Sequence, residues 1–111
     1  MTGTVHLTVE KGVDQGRQLS IQPEGVRLGR SSRNDVVLSD PLLSRHHCRF
    51  FFKDGRLHVT DLGSANQTMV NDKAIQESIL QLGDRISIGD TVIRVLNNIP
   101  VNPTPEALSV Q

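Results

Sequence analysis

The 111-residue chain is predicted to fold as an all-β domain, either a sandwich or a barrel. Three features of the sequence favour this class. Apolar and polar residues alternate over several short segments, two turn-forming dipeptides separate β-rich runs, and glycines recur at short intervals. No segment shows a sustained helical stripe of apolar residues with caps, so helices are not expected.

The alternation is clearest in "TVHLTV", "RQLSI", "GVRLG" and "RLHVTD". Successive side chains of a strand point to opposite faces, so a period of two is typical of a strand with one buried face. Asp54-Gly55 separates "CRFFFK" from "RLHV", and Gly89-Asp90 separates "RISI" from "TVIRV". Both dipeptides suit tight hairpins with positive φ, so at least two antiparallel hairpins are expected.

Composition limits the classes of function. Hydrophobic residues make up 36% of the chain, enough for a core, but no apolar run approaches the roughly 20 residues of a transmembrane helix. A formal net charge of +0 argues against a nucleic-acid or membrane partner, because non-specific binding to either is mainly electrostatic. Cys48 is the only cysteine and no signal-peptide pattern is apparent, so we expect a reducing, cytoplasmic location.

The composition changes near the C-terminus. Residues 98–111 hold three prolines and one charged residue, which is typical of a linker or tail. We therefore expect one domain over residues 1–97, followed by a proline-rich tail over 98–111. A monomeric module is the expected state of the domain.

Polar residues that donate hydrogen bonds are concentrated in the predicted loops. The stretch "LGRSSRNDVVLSDPLLSRHHCRF" has four arginines and no lysine, and the planar guanidinium suits bidentate contact with carboxylate or phosphate. Together with the loop after Thr60, this stretch supplies hydroxyls, guanidiniums and amides: Ser31, Ser32, Ser44, Arg30, Arg33, Arg45, Asn34, Asn66 and Asn71. Donors combined with positive charge predict an anion site, and a phosphoryl group is a suitable anion.

The order of these motifs resembles that of forkhead-associated (FHA) domains. "LGR" at 28–30, "SRHH" at 44–47, "DLGSANQT" at 61–68 and "VND" at 70–72 match the family pattern over roughly residues 3–97. The resemblance implies an eleven-stranded β-sandwich of two mainly antiparallel sheets, of the FHA/SMAD type, with binding loops at one end. It also implies binding of phosphothreonine-containing proteins or peptides in kinase-dependent signalling, without catalysis and without a cofactor.

The resemblance assigns roles to individual residues. Arg30, Ser44 and Arg45 would contact phosphate, and Asn66 would hold the peptide backbone beside the phosphothreonine. The same surface would include Ser31 and Thr68. Gly29, His47 and Asn71 would support the site without touching the ligand, and Gly29 would allow a sharp turn before Arg30. A small apolar recess would receive the threonine methyl group.

The sequence departs from the family pattern at three positions. Gln67 and Asp72 replace family glycines, which usually supply positive φ without steric cost, so Gln67 must adopt that conformation or the turn must differ. Asn66 is the assignment most affected. Ala65 stands where some members have a hydroxyl, which shifts the expected phosphate contact onto Arg30, Ser44 and Arg45.

Alternative functions are less well supported. "HHC" with His58 offers metal ligands, but neighbours on a strand face opposite ways and no zinc-like spacing is present, so no metal is expected. Ser44, His47 and an aspartate such as Asp40 or Asp61 could form a triad, yet no nucleophile elbow surrounds Ser44. Two further possibilities are a degenerate FHA scaffold that binds without phosphate, and the regulatory front end of a longer signalling enzyme.

Overall fold

The computed structural model describes residues 5–96, which form eleven strands in two stacked sheets. One sheet has six strands in the order β2-β1-β11-β10-β7-β8, and the other has five in the order β4-β3-β5-β6-β9. The strands are β1 Val5–Lys11, β2 Gln18–Ile21, β3 Val26–Gly29, β4 Val36–Val37, β5 Cys48–Lys53, β6 Arg56–Asp61, β7 Thr68–Val70, β8 Lys73–Ile75, β9 Glu77–Ile79, β10 Arg85–Ile88 and β11 Thr91–Val95.

The predicted all-β sandwich is confirmed. Neighbouring strands pair antiparallel except β3 and β4, which pair in parallel. Alternate side chains of β1 point toward the other sheet, and Val5, Leu7 and Val9 are buried between the two sheets. Phe50 is the largest fully buried side chain, and burying an aromatic of this size stabilises a small core by roughly 2–3 kcal/mol.

Both predicted hairpins are present. Lys53 pairs with Arg56 across Asp54-Gly55, and Ile88 pairs with Thr91 across Gly89-Asp90. Asp54, Gly55 and Gly89 have φ values of 55°, 76° and 57°, as two-residue hairpin turns require. A third hairpin, between β7 and β8, turns through Asn71 and Asp72 with φ values of 50° and 70°.

Strand register brings several loops to one end of the sandwich. Leu28 pairs with Cys48, Cys48 with Asp61, and Ile88 with Thr68, so all these strands begin or end at the same end of the sandwich. We call it the loop end, and it comprises residues 12–17, 30–35, 38–47, 62–67 and 89–90. The turns at 54–55 and 71–72 lie at the opposite end.

Within residues 5–96, no helix is long and apolar enough to cross a membrane. The predicted tail over 98–111 lies outside the described residues, and so does the domain boundary at residue 97.

Candidate functional site

Two segments of the loop end are joined by backbone hydrogen bonds. The N–H of Arg30 donates to the Ser44 carbonyl (3.1 Å), and the N–H of Ser31 donates to the Arg45 carbonyl (3.1 Å). The His47 N–H donates to the Leu28 carbonyl at 2.9 Å and continues the same pairing into β3. Residues separated by fourteen positions in the sequence therefore lie side by side, and Arg30 neighbours Ser44.

Gly29 is required at this junction for a different reason from the one predicted. A Cβ atom on Gly29 would lie 2.2 Å from the Arg45 carbonyl oxygen and 2.9 Å from Asn34 Nδ2. Its φ is not among the positive values, so it does not form a left-handed turn. Glycine is needed because the backbone of the opposing segment approaches too closely for any side chain.

His47 lies beneath Ser44 and is fully buried. Its Nδ1 accepts the Ser44 N–H at 3.1 Å, and its Nε2 lies 2.8 Å from the Gln67 carbonyl oxygen. An acceptor at Nδ1 leaves the ring hydrogen on Nε2, which donates to Gln67. His47 thus connects the loop that contains Ser44 to the loop that contains Gln67, the supporting position that was expected.

The Ser44 hydroxyl is oriented from the other side. The N–H of Ala65 donates to Ser44 Oγ at 2.9 Å, which occupies one lone pair of the hydroxyl oxygen. The side chain is half-buried, and its hydrogen stays available as a donor. Ala65, which lacks the hydroxyl that some family members have here, therefore contributes through its backbone.

Arg30 and Arg45 at the loop end are exposed and form few hydrogen bonds within the described chain. Arg30 Nε donates to the Leu43 carbonyl at 3.0 Å, which fixes the direction of the guanidinium. Within residues 5–96 the terminal nitrogens of Arg30 and the whole guanidinium of Arg45 have no hydrogen-bond or ion-pair partner. Two exposed cations beside an oriented hydroxyl can hold an anion through charge-assisted hydrogen bonds.

Ser31 lies at the rim of this arrangement. It is half-buried, and its hydroxyl oxygen accepts the Arg33 N–H at 3.1 Å. This bond forms a local turn that starts the loop after β3. The Ser31 backbone pairs with Arg45, so Ser31 belongs to the same paired segments as Arg30 and Arg45.

Gln67 adopts the positive φ that the family glycine would supply, at 65°. The turn is therefore kept, and the strain is borne by a residue with a side chain. Asn66, which precedes it, is exposed and donates from Nδ2 to the Leu42 carbonyl at 2.7 Å. This bond ties the 62–67 loop to the 38–47 loop and leaves the Asn66 side-chain oxygen free of any partner in the described chain.

Asp61 organises the 62–67 loop. Its Oδ2 accepts the N–H groups of Gly63 and Ser64, and its Oδ1 accepts the Ser64 and Thr68 hydroxyls. Partial burial raises the pKa of Asp61, but the hydrogen bonds from Ser64, Thr68 and Gly63 outweigh this effect and lower it. The carboxylate is thus held ionised as the centre of the turn.

Thr68 does not reach the surface where it was expected. Its side chain is fully buried, and its hydroxyl donates to Asp61 at 2.7 Å. A group without solvent exposure and with its hydrogen already committed cannot contact a ligand. Thr68 instead supports the loop from below.

Asn71 also differs from the expectation. Its side chain donates to Asp84 Oδ1 at 3.0 Å and accepts the Arg85 N–H at 3.1 Å. These bonds brace the loop before β10 at the end of the sandwich opposite Arg30 and Ser44. Asn71 therefore stabilises the fold, and it makes no contact with the loop end.

Two buried polar residues that support the loop end were not recognised as structural in the sequence. Asn34 donates from Nδ2 to the carbonyls of Ser31 (2.8 Å) and Arg45 (2.6 Å), and its Oδ1 lies 2.8 Å from Nδ1 of the exposed His46. Asn34 is 8% exposed and holds the two paired segments together. Its sequence context, a polar residue in a polar loop, gave no signal of burial.

Asp40 is the second such residue and is 1% exposed. Its carboxylate accepts the Leu42 N–H, the Asp90 N–H and the Thr91 hydroxyl, all at 2.8–2.9 Å. Burial raises the pKa of Asp40, but these hydrogen bonds outweigh it, so the pKa is lowered. The carboxylate fixes the 38–47 loop to the turn between β10 and β11.

The geometry does not favour the triad or metal alternatives. One ring nitrogen of His47 accepts the Ser44 N–H and the other donates to a carbonyl, so neither nitrogen pairs the Ser44 hydroxyl with a carboxylate. Asp61 bonds to its own loop. In the part of the chain that is described, no three His, Cys, Asp or Glu side chains form a group that could hold a metal ion.

The FHA domain family model matches residues 26–89, which include every motif at the loop end. Among curated relatives, the oxoglutarate dehydrogenase inhibitor of Corynebacterium efficiens is 34% identical over 87 residues, covering 78% of this chain and 61% of the inhibitor. The glycogen accumulation regulator GarA of Mycolicibacterium smegmatis is 32% identical over 88 residues, covering 79% and 56%. The chain thus spans about three fifths of the length of these relatives.

Solved structures share the fold. An FHA domain from work on phosphothreonine-dependent FHA domain interactions has a TM-score of 0.77 and 28% identity, covering 92% of this chain and 100% of that chain. EmbR of Mycobacterium tuberculosis, in complex with a low-affinity phosphopeptide, has a TM-score of 0.75 and 26% identity over 92% of this chain and 25% of that chain.

Proposed function

The chain belongs to the FHA domain family, and on this premise we propose that it is a phosphothreonine-peptide-binding module that acts in protein-kinase-dependent signalling. The observation that supports this most is the backbone pairing of residues 30–31 with 44–45. This pairing sets the backbones of Arg30 and Ser44 side by side, which supports a shared contact surface for Arg30, Ser44 and Arg45. Solved structures similar to the chain include an FHA domain from phosphothreonine-dependent interactions and a complex with a phosphopeptide.

In this proposal the phosphate lies between the two arginines. Arg30 is held at Nε by the Leu43 carbonyl, so its terminal nitrogens donate to phosphate oxygens. Arg45 supplies a second cation. Ser44 donates the hydroxyl hydrogen that its bond from Ala65 leaves available, and Ser31 lies at the rim as a further donor. Charge-assisted bonds of this kind are each worth about 1.5–3 kcal/mol.

Asn66 contacts the peptide backbone rather than the phosphate. Its amide nitrogen is bound to the Leu42 carbonyl, and its side-chain oxygen accepts a backbone N–H of the peptide. Asn66 therefore keeps the role that the sequence predicted, with the oxygen as the contacting atom. In this proposal Thr68 supports the loop through its buried hydroxyl instead of contacting the peptide, and Asn71, which was expected only to brace loops, does so at the opposite end of the sandwich.

Such a module makes binding dependent on phosphorylation of the partner. An unphosphorylated threonine offers no charge to Arg30 and Arg45, so a kinase creates the ligand and a phosphatase removes it. The domain itself is not catalytic, in keeping with relatives named as an inhibitor and a regulator. A cytoplasmic location fits the single, buried and unpaired Cys48.

A peptide titration tests the proposal. An oriented phosphothreonine library first selects a binding sequence, which is then synthesised with phosphothreonine, threonine or phosphoserine at the central position. We expect the plain peptide to lose binding and the phosphoserine peptide to bind several-fold more weakly, because one buried methyl is worth roughly 0.8 kcal/mol. Equal binding of the plain and phosphorylated peptides would favour the phosphate-independent scaffold instead.

A further inference from the structure

The outer face of the five-stranded sheet is unusually basic. Side chains that point away from the core on β3, β5 and β6 include four cations and no anion, while the edge strand β9 adds one carboxylate to this face, Glu77, opposite Thr60. We call this surface the basic face and define it by Arg27, Arg49, Phe51, Lys53, Arg56 and His58. Three of the four cations are exposed and Arg49 is half-buried, so their charges are accessible to a partner.

The cations lie in two like-charged cross-strand pairs. Arg27 is directly opposite Arg49 in the β3–β5 ladder, and Lys53 is directly opposite Arg56 in the β5–β6 ladder. Like charges in directly opposite positions destabilise a sheet. The pairs are therefore unfavourable in the isolated domain, and an anionic partner would relieve the repulsion.

The outer face of the six-stranded sheet shows the contrasting arrangement. There Arg85 Nε lies 2.7 Å from Glu10 Oε1, and Arg94 Nη1 lies 3.6 Å from Glu10 Oε2. Both cations share one carboxylate of their own chain. Among residues 5–96, none of the four arginine and lysine side chains of the basic face forms a salt bridge; only its His58 lies within salt-bridge distance of a carboxylate, that of Glu77.

The middle of the basic face holds two stacked rings, and one ring nitrogen there has no hydrogen-bond partner in the described chain. The Phe51 and His58 rings stack with centroids 5.2 Å apart, and the Arg49 guanidinium lies 5.0 Å from the Phe51 centroid. His58 is 8% exposed, and its Nδ1 has no hydrogen-bond partner in the described chain. A carboxylate oxygen of Glu77 is 3.6 Å from this nitrogen, within salt-bridge distance but beyond good hydrogen-bond distance.

We propose that the basic face is a second binding surface, which takes an acidic polypeptide segment with an apolar side chain between its carboxylates. The two cation pairs receive carboxylates at both ends, and the apolar side chain packs on Phe51 and the exposed Ile79, which lies opposite His58 in the β6–β9 ladder. The central apolar strip favours a polypeptide over nucleic acid, as does the neutral net charge of the chain.

This surface is separate from the loop end. It extends along β5 from Arg49 to Lys53, a length of roughly 13 Å at the rise of a strand. A partner could occupy it while another segment binds at Arg30 and Ser44. Two weak sites on one domain then act together, since the second contact becomes intramolecular.

NMR titration tests the inference with a defined probe. The ¹⁵N-labelled domain is titrated at low salt with a ten-residue peptide of alternating glutamate and isoleucine, and separately with its lysine–isoleucine counterpart. We expect the acidic peptide to shift amide signals of residues 49–58 and 77–79, and the basic peptide to shift none of them. Shifts confined to residues 30–47 would overturn the proposal, as would tighter binding of an oligothymidylate at the same face.

A pair of matched variants separates local recognition from overall charge. The double variant K53E/R56E should weaken the acidic peptide by at least about fivefold, because two attractions become repulsions. The variant K11E/K73E changes the net charge equally on exposed positions of the other sheet and should have little effect. Equal weakening by both variants would contradict the inference. Unchanged phosphothreonine-peptide affinity in both variants keeps this result independent of the function proposed for the loop end.

Discussion

Two groups of polar residues at the loop end differ in how completely their hydrogen bonds are used. The braces, which we define as Asn34, Asp40, His47 and Asp61, are buried or half-buried and are bonded within the chain. The recognition side chains, Arg30, Arg45 and Asn66, are exposed and keep unused donors or acceptors. The difference leads to a prediction: changes in the first group should lower stability, and changes in the second should lower the affinity for the proposed ligand.

The largest effect is expected from His47→Ala. The change leaves the Ser44 N–H and the Gln67 carbonyl without their partner and opens a cavity in a fully buried position. We expect the free energy of unfolding to fall by about 2–4 kcal/mol. Urea denaturation measures this loss.

His46→Ala is the matched control for this variant. His46 is adjacent but exposed, and the hydrogen bond of its ring in the described chain is to Asn34. Its removal should cost less than about 1 kcal/mol. If His47→Ala kept the stability of the parent while losing phosphopeptide binding, His47 would move from the braces to the recognition side chains.

A smaller effect, on binding instead of stability, is expected from Arg30→Ala. Loss of one charge-assisted contact to phosphate should weaken phosphopeptide binding by about 1.5–3 kcal/mol, or roughly 10- to 150-fold. Stability should change little, because Arg30 is exposed. Calorimetric titration of the folded variant measures the affinity.

Arg33→Ala is the corresponding control. Arg33 is an exposed arginine of the same loop, and its guanidinium forms no hydrogen bond or ion pair in the described chain. The variant should bind the phosphopeptide within about twofold of the parent. A loss as large as that of Arg30→Ala would mean that binding depends on the total positive charge of the loop and not on Arg30.

The fold was more accessible to sequence analysis than the hydrogen-bond partners of the braces. The hairpins at Asp54-Gly55 and Gly89-Asp90 depend on adjacent residues, so local turn chemistry was sufficient to predict them. Asp40 bonds to Asp90 and Thr91, about fifty positions away, and nothing in the sequence near Asp40 indicates that contact. Long-range partners of buried polar groups are set by register and stacking, which alternation alone does not specify.

Gly29 and Thr68 illustrate the same limit. The motifs identified both positions as important, but not the physical reason for their importance. Gly29 is needed because the Arg45 carbonyl approaches it, and Thr68 because its hydroxyl reaches Asp61. A motif fixes which residue is present, while its role depends on which other segment folds against it.

An intermediate effect on stability, with a defined pH dependence, is expected for Asp61. Its pKa in the folded state lies below the ordinary value of 3.8, so the ionised form stabilises the fold. This contribution is complete above about pH 5 and is lost as the pH falls through the ordinary value and then the lowered folded value. Asp40 contributes in the same direction.

Asp61→Asn isolates this contribution. The amide nitrogen cannot accept hydrogen bonds, so donors from Ser64 or Thr68 lose an acceptor, and we expect a loss of about 1–2 kcal/mol at pH 7. The variant should also lose less stability than the parent between pH 5 and pH 3. Urea midpoints over this range provide the measurement, and parallel pH curves for the two proteins would remove Asp61 from the acid-sensitive groups.

The smallest effect, and the sharpest division between the two groups, is expected at Gln67. This residue lies between the recognition side chain Asn66 and the brace His47, and its φ of 65° is unfavourable for a residue with a Cβ atom. Gln67→Gly removes about 1–2 kcal/mol of strain but increases the freedom of the unfolded chain by about 0.5–1 kcal/mol, for a net stabilisation of about 0.5 kcal/mol. Gln67→Asn should stabilise by a similar or smaller amount, since asparagine tolerates this conformation without the added freedom.

The His47 hydrogen bond is made to the backbone carbonyl of Gln67, so both variants keep it, and phosphopeptide affinity should stay within about twofold of the parent. Thermal denaturation and calorimetry measure the two quantities on the same samples. A clear loss of affinity with unchanged stability would show that the Gln67 side chain itself contacts the ligand, and would place it with the recognition side chains.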